Sequence, residues 1–483
     1  MYLGLDLGTS GLKAVLMDEA GLVIASADAD YPLAHPAAGW SEQDPDDWIA
    51  GADRAVGRLA ETHPRELAAV RGIGLSGQMH GAVCLGADGR PLRPAILWND
   101  SRAHAEAAEL DAAPGVRDLA GNIIFPGFTA PKLMWLARHE PETFAAVRRV
   151  LLPKDYLRLW LTGEAASEMS DAAGTGWLDV GARAWSDRLL DASGMSAGPM
   201  PRLVEGSEPA GRLRGALASR WGMSGHVTVA GGGADNAASA CATGALAEGQ
   251  GFVSIGTSGV VLLARGRFAP APETTVHSFC HAVPDRWYQM GVMLAATDCL
   301  NWLSAITGAG PATLTGELGA APAMPGTLTF LPYLSGERTP HNDSRIRGGF
   351  LNLDIGHTRA DMTRAVLEGV SFGLRDSLEA LRGAGARPER LLAIGGGAAS
   401  EYWLALLAGV LNLPLDVPEA GEQGAALGAA RLGRLAATGE PPEAVLTPPP
   451  IARTVAPDPQ LAAACDDAWR RFATLYPAIR EVT

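Results

Sequence analysis

The sequence predicts a mixed α/β protein built as two similar lobes facing each other, and two observations lead there. Residues 6–11 read Asp-Leu-Gly-Thr-Ser-Gly and residues 254–259 read Ser-Ile-Gly-Thr-Ser-Gly, so Gly8 and Gly256 stand 248 positions apart in a chain of 483. Each turn follows a short apolar run and precedes another, so strand, glycine turn and strand recur at the same place in each half. Other apolar runs, at residues 226–230 and 391–394, enter glycine clusters that open onto helical stretches, which is the alternation that covers a sheet with helices. The lobes divide near residue 243, giving 1–243 and 244–483.

In chain order, residues 2–5 and 14–17 read as strands flanking the first turn. Residues 71–76 and 82–85 read as strands, with Asp88-Gly89 as a hairpin turn. Residues 226–230 read as a strand and the alanine-rich residues 234–247 as a helix. Residues 251–253 and 260–264 flank the second turn, and 391–394 form another strand. Residues 400–411 place Tyr402, Leu406 and Val410 on one stripe, with Trp403, Leu407 and Leu411 beside it, the pattern of a core-facing helix. The proline-rich residues 441–459 read as a loop, and 462–475 as a terminal helix.

Composition excludes several classes of partner. With 39 basic against 53 acidic residues the formal charge is −14, which no nucleic acid or anionic membrane attracts. No window approaches the run of about 18 uncharged apolar residues that a membrane span needs. The N-terminus meets Asp6 before an apolar signal segment can form, and the five cysteines are scattered with no C-x-x-C. The expectation is a cytoplasmic protein with reduced thiols. His277, Cys280 and His281 gather metal-binding residue types, but nothing supplies the rest of a zinc site.

Either Gly-Thr-Ser-Gly turn alone reads as an ordinary hairpin. Together, with Asp6 and Lys13 flanking the first, they read as a polyphosphate clamp, because glycine lets successive N–H groups converge on an anion. Lys13 is one of only three lysines, with Lys132 and Lys154, among 39 basic residues. Asp6 beside phosphates calls for a cation between them, and hydrated Mg²⁺ suits that position. Asp235, after three glycines at the mouth of a helix, reads as an N-cap or as a reactive carboxylate, and the two are compatible. Residues 395–400, Gly-Gly-Gly-Ala-Ala-Ser, suit a flat ring or phosphate pressed on backbone but lack the dinucleotide spacing. Ser76-Gly-Gln-Met-His80-Gly, at the carboxyl end of a strand, is placed to present ligand-binding groups, and Trp98 to Arg102 supply polar groups suited to a polyol.

The runs D-L-G-T-S-G-L-K at 6–13, S-G-Q-M-H-G at 76–81 and G-G-G-A-D-N at 231–236 resemble the FGGY carbohydrate kinases, relatives of heat-shock chaperones and actin. Runs at 96–100, 128–135, 151–157, 169–175, 276–281 and 331–341 extend the resemblance along essentially the whole chain, and are most similar to the family members that act on D-xylulose. The resemblance implies two ribonuclease-H-like lobes, the actin-like ATPase fold, flanking a central catalytic cleft. It also implies transfer of phosphate from ATP, with Mg²⁺, to the 5-hydroxyl of D-xylulose. On the same ground Asp235 is expected to be the catalytic base, with Met79, His80 and Asn236 binding sugar beside it. Asp6 is expected to act in catalysis near Mg²⁺, through water. Thr9, Ser10, Lys13, Gly256 and Thr257 are expected at the phosphates, and Gly396 and Gly397 in the nucleotide-binding loop.

A homodimer is implied by the resemblance alone, and the segment holding His277 and His281 carries no zinc in the family. Glycerol as acceptor is disfavoured by the Q-M-H run, and no cationic side chain is read as a partner for a sugar carboxylate. Lys132 and Lys154 fall in family runs without an assignable role. One departure is Asn352, where the second family signature usually has glycine. Asparagine tolerates the left-handed conformation, so the turn is expected to survive.

Overall fold

The computed structural model describes residues 1–223, 225–419 and 424–481. In the first half, β1 (Tyr2–Leu7), β2 (Gly11–Met17), β3 (Val23–Asp30), β4 (Gly72–Gly77), β5 (Pro209–Arg212) and β6 (Thr228–Ala230) lie in the order β5-β6-β4-β1-β2-β3. The two-residue strand β7 (Gly233–Ala234) pairs with the end of β4. In the second half, β8 (Gly251–Ile255), β9 (Gly259–Arg265), β10 (His277–Cys280), β11 (Trp287–Met293), β12 (Leu391–Ile394), β13 (Leu415–Pro418) and β14 (Ile451–Val455) lie in the order β10-β11-β9-β8-β12-β13-β14.

The two sheets follow one scheme. A central strand (β1 or β8) turns through Gly-Thr-Ser-Gly into an antiparallel neighbour (β2 or β9), which pairs antiparallel with a third strand (β3 or β11). On its other side the central strand runs parallel to β4 or β12, which runs parallel to β6 or β13. The recurrence read in the sequence is therefore a recurrence of topology.

Helices fill the space around these sheets: α1 (Pro45–Thr62), α2 (Thr129–His139), α3 (Pro153–Thr162), α4 (Asp235–Thr243), α5 (Thr297–Thr307) and α6 (Gly424–Thr438) are the ones that bear on the site. In β1 the period of two sends Leu3, Leu5 and Leu7 to one face and Tyr2, Gly4 and Asp6 to the other. Helix α6, from the far end of the chain, lies on the glycine-bearing face of this first sheet. A Cβ on Gly4 would stand 1.9 Å from the Ala426 carbonyl oxygen, and one on Gly74 only 1.7 Å from that of Ala429. Helix α4 crosses α6 just as closely, since a Cβ on Gly428 would be 1.8 Å from the Ala238 carbonyl oxygen. The buried Arg431 of α6 then donates to the Cys241 and Ala242 carbonyls at the end of α4.

The structure adjusts two sequence expectations. Helix α4 stops at Thr243 rather than 247, because Gly244 takes a left-handed conformation (φ 70°) that ends it. The proline-rich loop holds a short helix, Pro442–Val445, and the strand β14, which pairs antiparallel with β13 as a sheet edge, where proline-flanked strands are tolerated. Asn352 does adopt the left-handed conformation (φ 61°) foreseen for it. No helix among the described residues is long and apolar enough to cross a membrane.

The backbone contact under α6 gives a paired test. Gly74→Ala is expected to cost about 2–3 kcal/mol of stability by overpacking. Gly57→Ala, in α1 with open space around it, is expected to gain about 0.5–1 kcal/mol through helix propensity. Chemical denaturation of both variants measures the pair, and equal effects would contradict the packing.

Candidate active site

Residues just beyond β4 and β7 in the first half meet residues of the second glycine turn, β9, β10 and β11 in the second half around a cavity of about 200 Å³. Met79, His80, Asp235 and Asn236 line it from the first half, and Ser258 of the second Gly-Thr-Ser-Gly turn lines it from the second. Larger hollows of about 440 and 670 Å³ lie in the second half, but none of the sequence-predicted site residues lines either. Register explains the convergence: Asp6 pairs with Ser76 across β1 and β4, and Gly233 of β7 pairs with Ser76 from the other side. The end of β1 and the start of α4 are thereby held at one level.

Asp235 is the first residue of α4, one position beyond the N-cap, which is Ala234. Its Oδ1 accepts from the Asn236 backbone N–H at 2.7 Å and from Asn236 Nδ2 at 3.0 Å. Burial pushes its carboxyl up to about 6; the Asn236 donors oppose this and the nearby Asp6 adds to it. Asp6 is also raised by burial, against the pull of Ser76 and of Lys13, which faces it across the β1–β2 ladder.

The loop carrying Asp235 is anchored on buried charge. Arg158 of α3 donates to the Gly231 carbonyl at 2.6 Å and to Asp155 Oδ1 at 2.9 Å. The Ala234 N–H donates to Ser170 Oγ at 3.0 Å, and that hydroxyl donates in turn to Glu168 at 2.8 Å. Lys154 sits among Asp155, Glu168 and Asp171 at 2.9, 3.4 and 3.4 Å. Burial works against its ammonium, but the three carboxylates outweigh burial and hold it above the ordinary lysine value. Burial drives Asp171 in the opposite direction, well above the carboxylate range. This answers what Lys154 does: it neutralises the acidic base on which the Asp235 loop rests.

Met79, His80 and Gly81 form a γ-turn. The Gly81 N–H donates to the Met79 carbonyl at 2.9 Å, and His80 holds φ at 70°, a conformation that costs energy in any residue but glycine. Lys132 of α2 fixes it, donating from Nζ to the carbonyls of His80 (2.8 Å) and Gly127 (2.7 Å), while Thr129 Oγ1 also donates to His80. The His80 ring stacks on Phe128 at 4.7 Å. Its Nδ1 lies 2.6 Å from the Gly174 carbonyl, so the proton is on Nδ1 and Nε2 is left as an acceptor. Burial lowers this imidazole to about 3, so it is neutral.

At the first turn Thr9 is braced inside its own lobe: its carbonyl accepts from Gln43 Nε2 at 2.6 Å and its Oγ1 from Trp98 Nε1 at 3.0 Å. Ser10 is exposed beside it. At the second turn, Gly256 and Thr257 turn their carbonyls to the start of α5, accepting from Thr297 N–H at 2.9 Å and Ala296 N–H at 2.8 Å. Gly395 and Gly397 pack on Ile255, where added Cβ atoms would come within 2.7 and 2.4 Å, so the third glycine loop abuts the second turn. Gly396 faces open space.

Other expectations fall differently. Trp98 reaches the cavity, but Asp100 and Arg102 form a buried ion pair at 2.7 Å, with Arg102 over the Trp40 ring, and do not line it. Among the described residues no cluster of His, Cys, Asp or Glu could hold a metal ion. His277 instead stacks on Phe279, at 5.3 Å, in the cavity wall. Sequence reasoning missed the aromatic wall of Phe125 and Phe128, the support from Lys132, and Arg338, which enters the cavity from the second half. Phe128, Lys132 and Arg338 lie in runs already noted for resemblance, the only signal available for them, and Phe125 lies outside every such run.

Comparison with known proteins defines the class first. The profile of the FGGY family of carbohydrate kinases matches residues 1–242 with its N-terminal domain and 251–437 with its C-terminal domain, and the chain belongs to that family. Its relatives narrow the kinship further. It is 47% identical over 480 residues to a xylulose kinase of Escherichia coli K12, covering 99% of this chain and 98% of that one. A Klebsiella pneumoniae xylulose kinase is 45% identical over 483 residues, with 99% of both chains covered. The crystal structure of a "xyloylose kinase" from Brucella ovis superposes with TM-score 0.97 at 56% identity over the whole of both chains. A glycerol kinase from Plasmodium falciparum, at 17% identity and TM-score 0.87 over 100% of this chain and 97% of that one, shares the fold.

The electrostatics of Asp235 predict a stability signature. Its native carboxyl titrates at about 6 and its ordinary value is 3.8, so between these pH values the unfolded chain ionises first and stability falls as pH rises. Above about pH 6 the full cost is present, on the order of 2–3 kcal/mol. Asp235→Asn is therefore expected to melt above wild type at pH 8, with the gap closing at pH 4. A gap equal at both pH values would contradict the assignment.

Proposed function

We propose that this chain transfers the terminal phosphate of ATP to the 5-hydroxyl of D-xylulose, giving D-xylulose 5-phosphate and ADP, in the cytoplasm. The observation that carries the reading is the cavity in which Met79, His80, Asp235 and Asn236 meet, in a chain related end to end to xylulose kinases.

In this reading Asp235 is the base. The two Asn236 donors occupy Oδ1, leaving Oδ2 to align the 5-hydroxyl and take its proton. Above pH 6 the group is ionised and ready, and the transfer asks mainly for position and charge neutralisation. The γ-turn presents His80 to the sugar with Nε2 as an acceptor for a hydroxyl. Thr9 and Ser10 of one turn and Gly256 and Thr257 of the other receive the phosphates from opposite lobes, divided near residue 243, with Lys13 reaching the first turn. Gly396 and Gly397 take the nucleotide. Asp6 fits a water-mediated Mg²⁺ site: its carboxylate stands one residue before the end of β1, beside the first turn, and, among the described residues, forms no ion pair. Bound there, the ion supplies charge neutralisation of the polyphosphate. Met79, Phe128 and Leu294 make the cavity apolar enough to exclude water, which would otherwise compete with the sugar as acceptor.

The test is Mg·ATP-dependent ADP release with D-xylulose, D-ribulose, L-ribulose, L-fuculose, gluconate and glycerol. The expected result is a clear kcat/KM preference for D-xylulose, rising with pH through about 6. Asp235→Ala is expected to lose at least about 10²-fold in kcat while still binding the sugar. Near wild-type turnover by that variant, or preference for another acceptor, would overturn the proposal.

A further inference from the structure

We propose that Arg338 is a substrate-recognition residue that hydrogen-bonds the carbonyl end of the acceptor, opposite the hydroxyl that faces Asp235. This rests on the ketose reading above and adds what selects the ketose.

Arg338 is on a loop of the second half pinned to the end of β11. Its own N–H donates to Glu337 Oε1 at 2.7 Å, and the Leu294 N–H donates to the same oxygen at 3.1 Å. The Thr339 N–H donates to the Val292 carbonyl at 2.9 Å, and the Val292 N–H to Thr339 Oγ1 at 3.1 Å. The backbone is thus fixed and the side chain projects into the cavity, its guanidinium over the Phe125 ring at 4.1 Å. Among the described residues the guanidinium has neither a hydrogen bond nor an ion pair. Burial lowers the guanidinium to about 10 against the opposing charge of the adjacent Glu337, whose own carboxyl burial pushes up to about 8. Arg338 is the one cationic side chain among the described residues that line the cavity, and it is left for a ligand, as are Asp235 Oδ2 and His80 Nε2. An unpaired guanidinium, with five donors, is costly to enclose unless a ligand supplies acceptors.

Arg338 sits at the aromatic wall of the cavity, and Asp235 at the start of α4. Phe125, under the guanidinium, packs edge-on against His277 at 5.2 Å, and the charge of Arg338 disfavours protonation of His277 and His80. A five-carbon 2-ketose with its 5-hydroxyl at Asp235 presents its C2 carbonyl and C1 hydroxyl to the other end. A carbonyl oxygen only accepts, as a guanidinium only donates. An alcohol in its place brings a hydrogen that Phe125, Val292 and Leu294 cannot satisfy. The site should therefore prefer a ketose over the corresponding polyol, and should also admit a sugar carboxylate.

The test uses the full chain with Arg338→Met and Arg338→Lys, measuring KM and kcat for D-xylulose and competitive inhibition by xylitol and D-xylonate. In Arg338→Met, KM for D-xylulose is expected to rise about 10-fold or more, the loss falling mainly on KM, as for a hydrogen bond to a charged group. Inhibition by D-xylonate should weaken at least as much, and inhibition by xylitol by less than about 3-fold. Arg338→Lys, which keeps charge without the fork, should fall between, and it decides the matter if the methionine variant does not fold. Equal weakening of all three ligands, as a merely structural role would give, or an unaltered KM, overturns the proposal. Wild-type preference for a sugar acid, lost in Arg338→Met, would refute D-xylulose as acceptor while keeping the role of Arg338. Wild-type failure to phosphorylate any sugar would refute both.

Discussion

The structure depends on a contact between bare backbones. Helix α6 brings its backbone directly against the first sheet, because Gly4, Gly72 and Gly74 on the strands leave room for the helix carbonyls, and Gly428 repeats the device where α4 crosses. Backbone contact at this range has no freedom to slide, since each carbonyl sits where a methyl would otherwise be. It fastens the last third of the chain to its first strands, and Arg431 fastens α6 to the end of α4. Asp235 begins α4 and Asp6 stands one residue before the end of β1, so the same contact that closes the fold fixes the two elements that carry these carboxylates.

Around this frame, buried charge is spent on backbone geometry. Arg158 and Ser170 hold the loop before Asp235 at its two ends, at Gly231 and Ala234, and the charge behind them is balanced by Lys154. Lys132 holds the strained γ-turn at His80 and has only neutral carbonyls as partners, so burial lowers its ammonium well below the ordinary value. A buried ion pair contributes little net stability in general, but removing one partner leaves an uncompensated charge. The two lysines are thus positioning residues, and their worth lies in where they keep Gly231, Ala234 and His80.

The sequence made the skeleton readable where local chemistry and fold agreed. Both Gly-Thr-Ser-Gly hairpins, the central strands and the left-handed turn at Asn352 follow from residues close together in the chain, and the meeting of Met79-His80 with Asp235-Asn236 followed from family motifs. What was not readable required long-range geometry. Asp100 and Arg102 looked like polar ligands, and only the packing of Glu42 and Trp40 against Arg102 shows them to be structural. Strand β14 was hidden by its prolines because its pairing with β13 is an edge pairing, which propensity does not foresee. Arg338 stands more than a hundred residues beyond Met79, His80 and Asp235, and no spacing rule links it to them; its lack of a partner is visible only once the cavity is formed.

The central claim is that the cavity orients the acceptor, with its reacting hydroxyl at Asp235 and its opposite end at the second lobe. A crystal structure of the chain with D-xylulose bound measures this directly. The account predicts the 5-hydroxyl within hydrogen-bond distance of Asp235 Oδ2 and the C2 carbonyl at the Arg338 guanidinium. A sugar bound in the reverse direction, or away from Asp235, would contradict it.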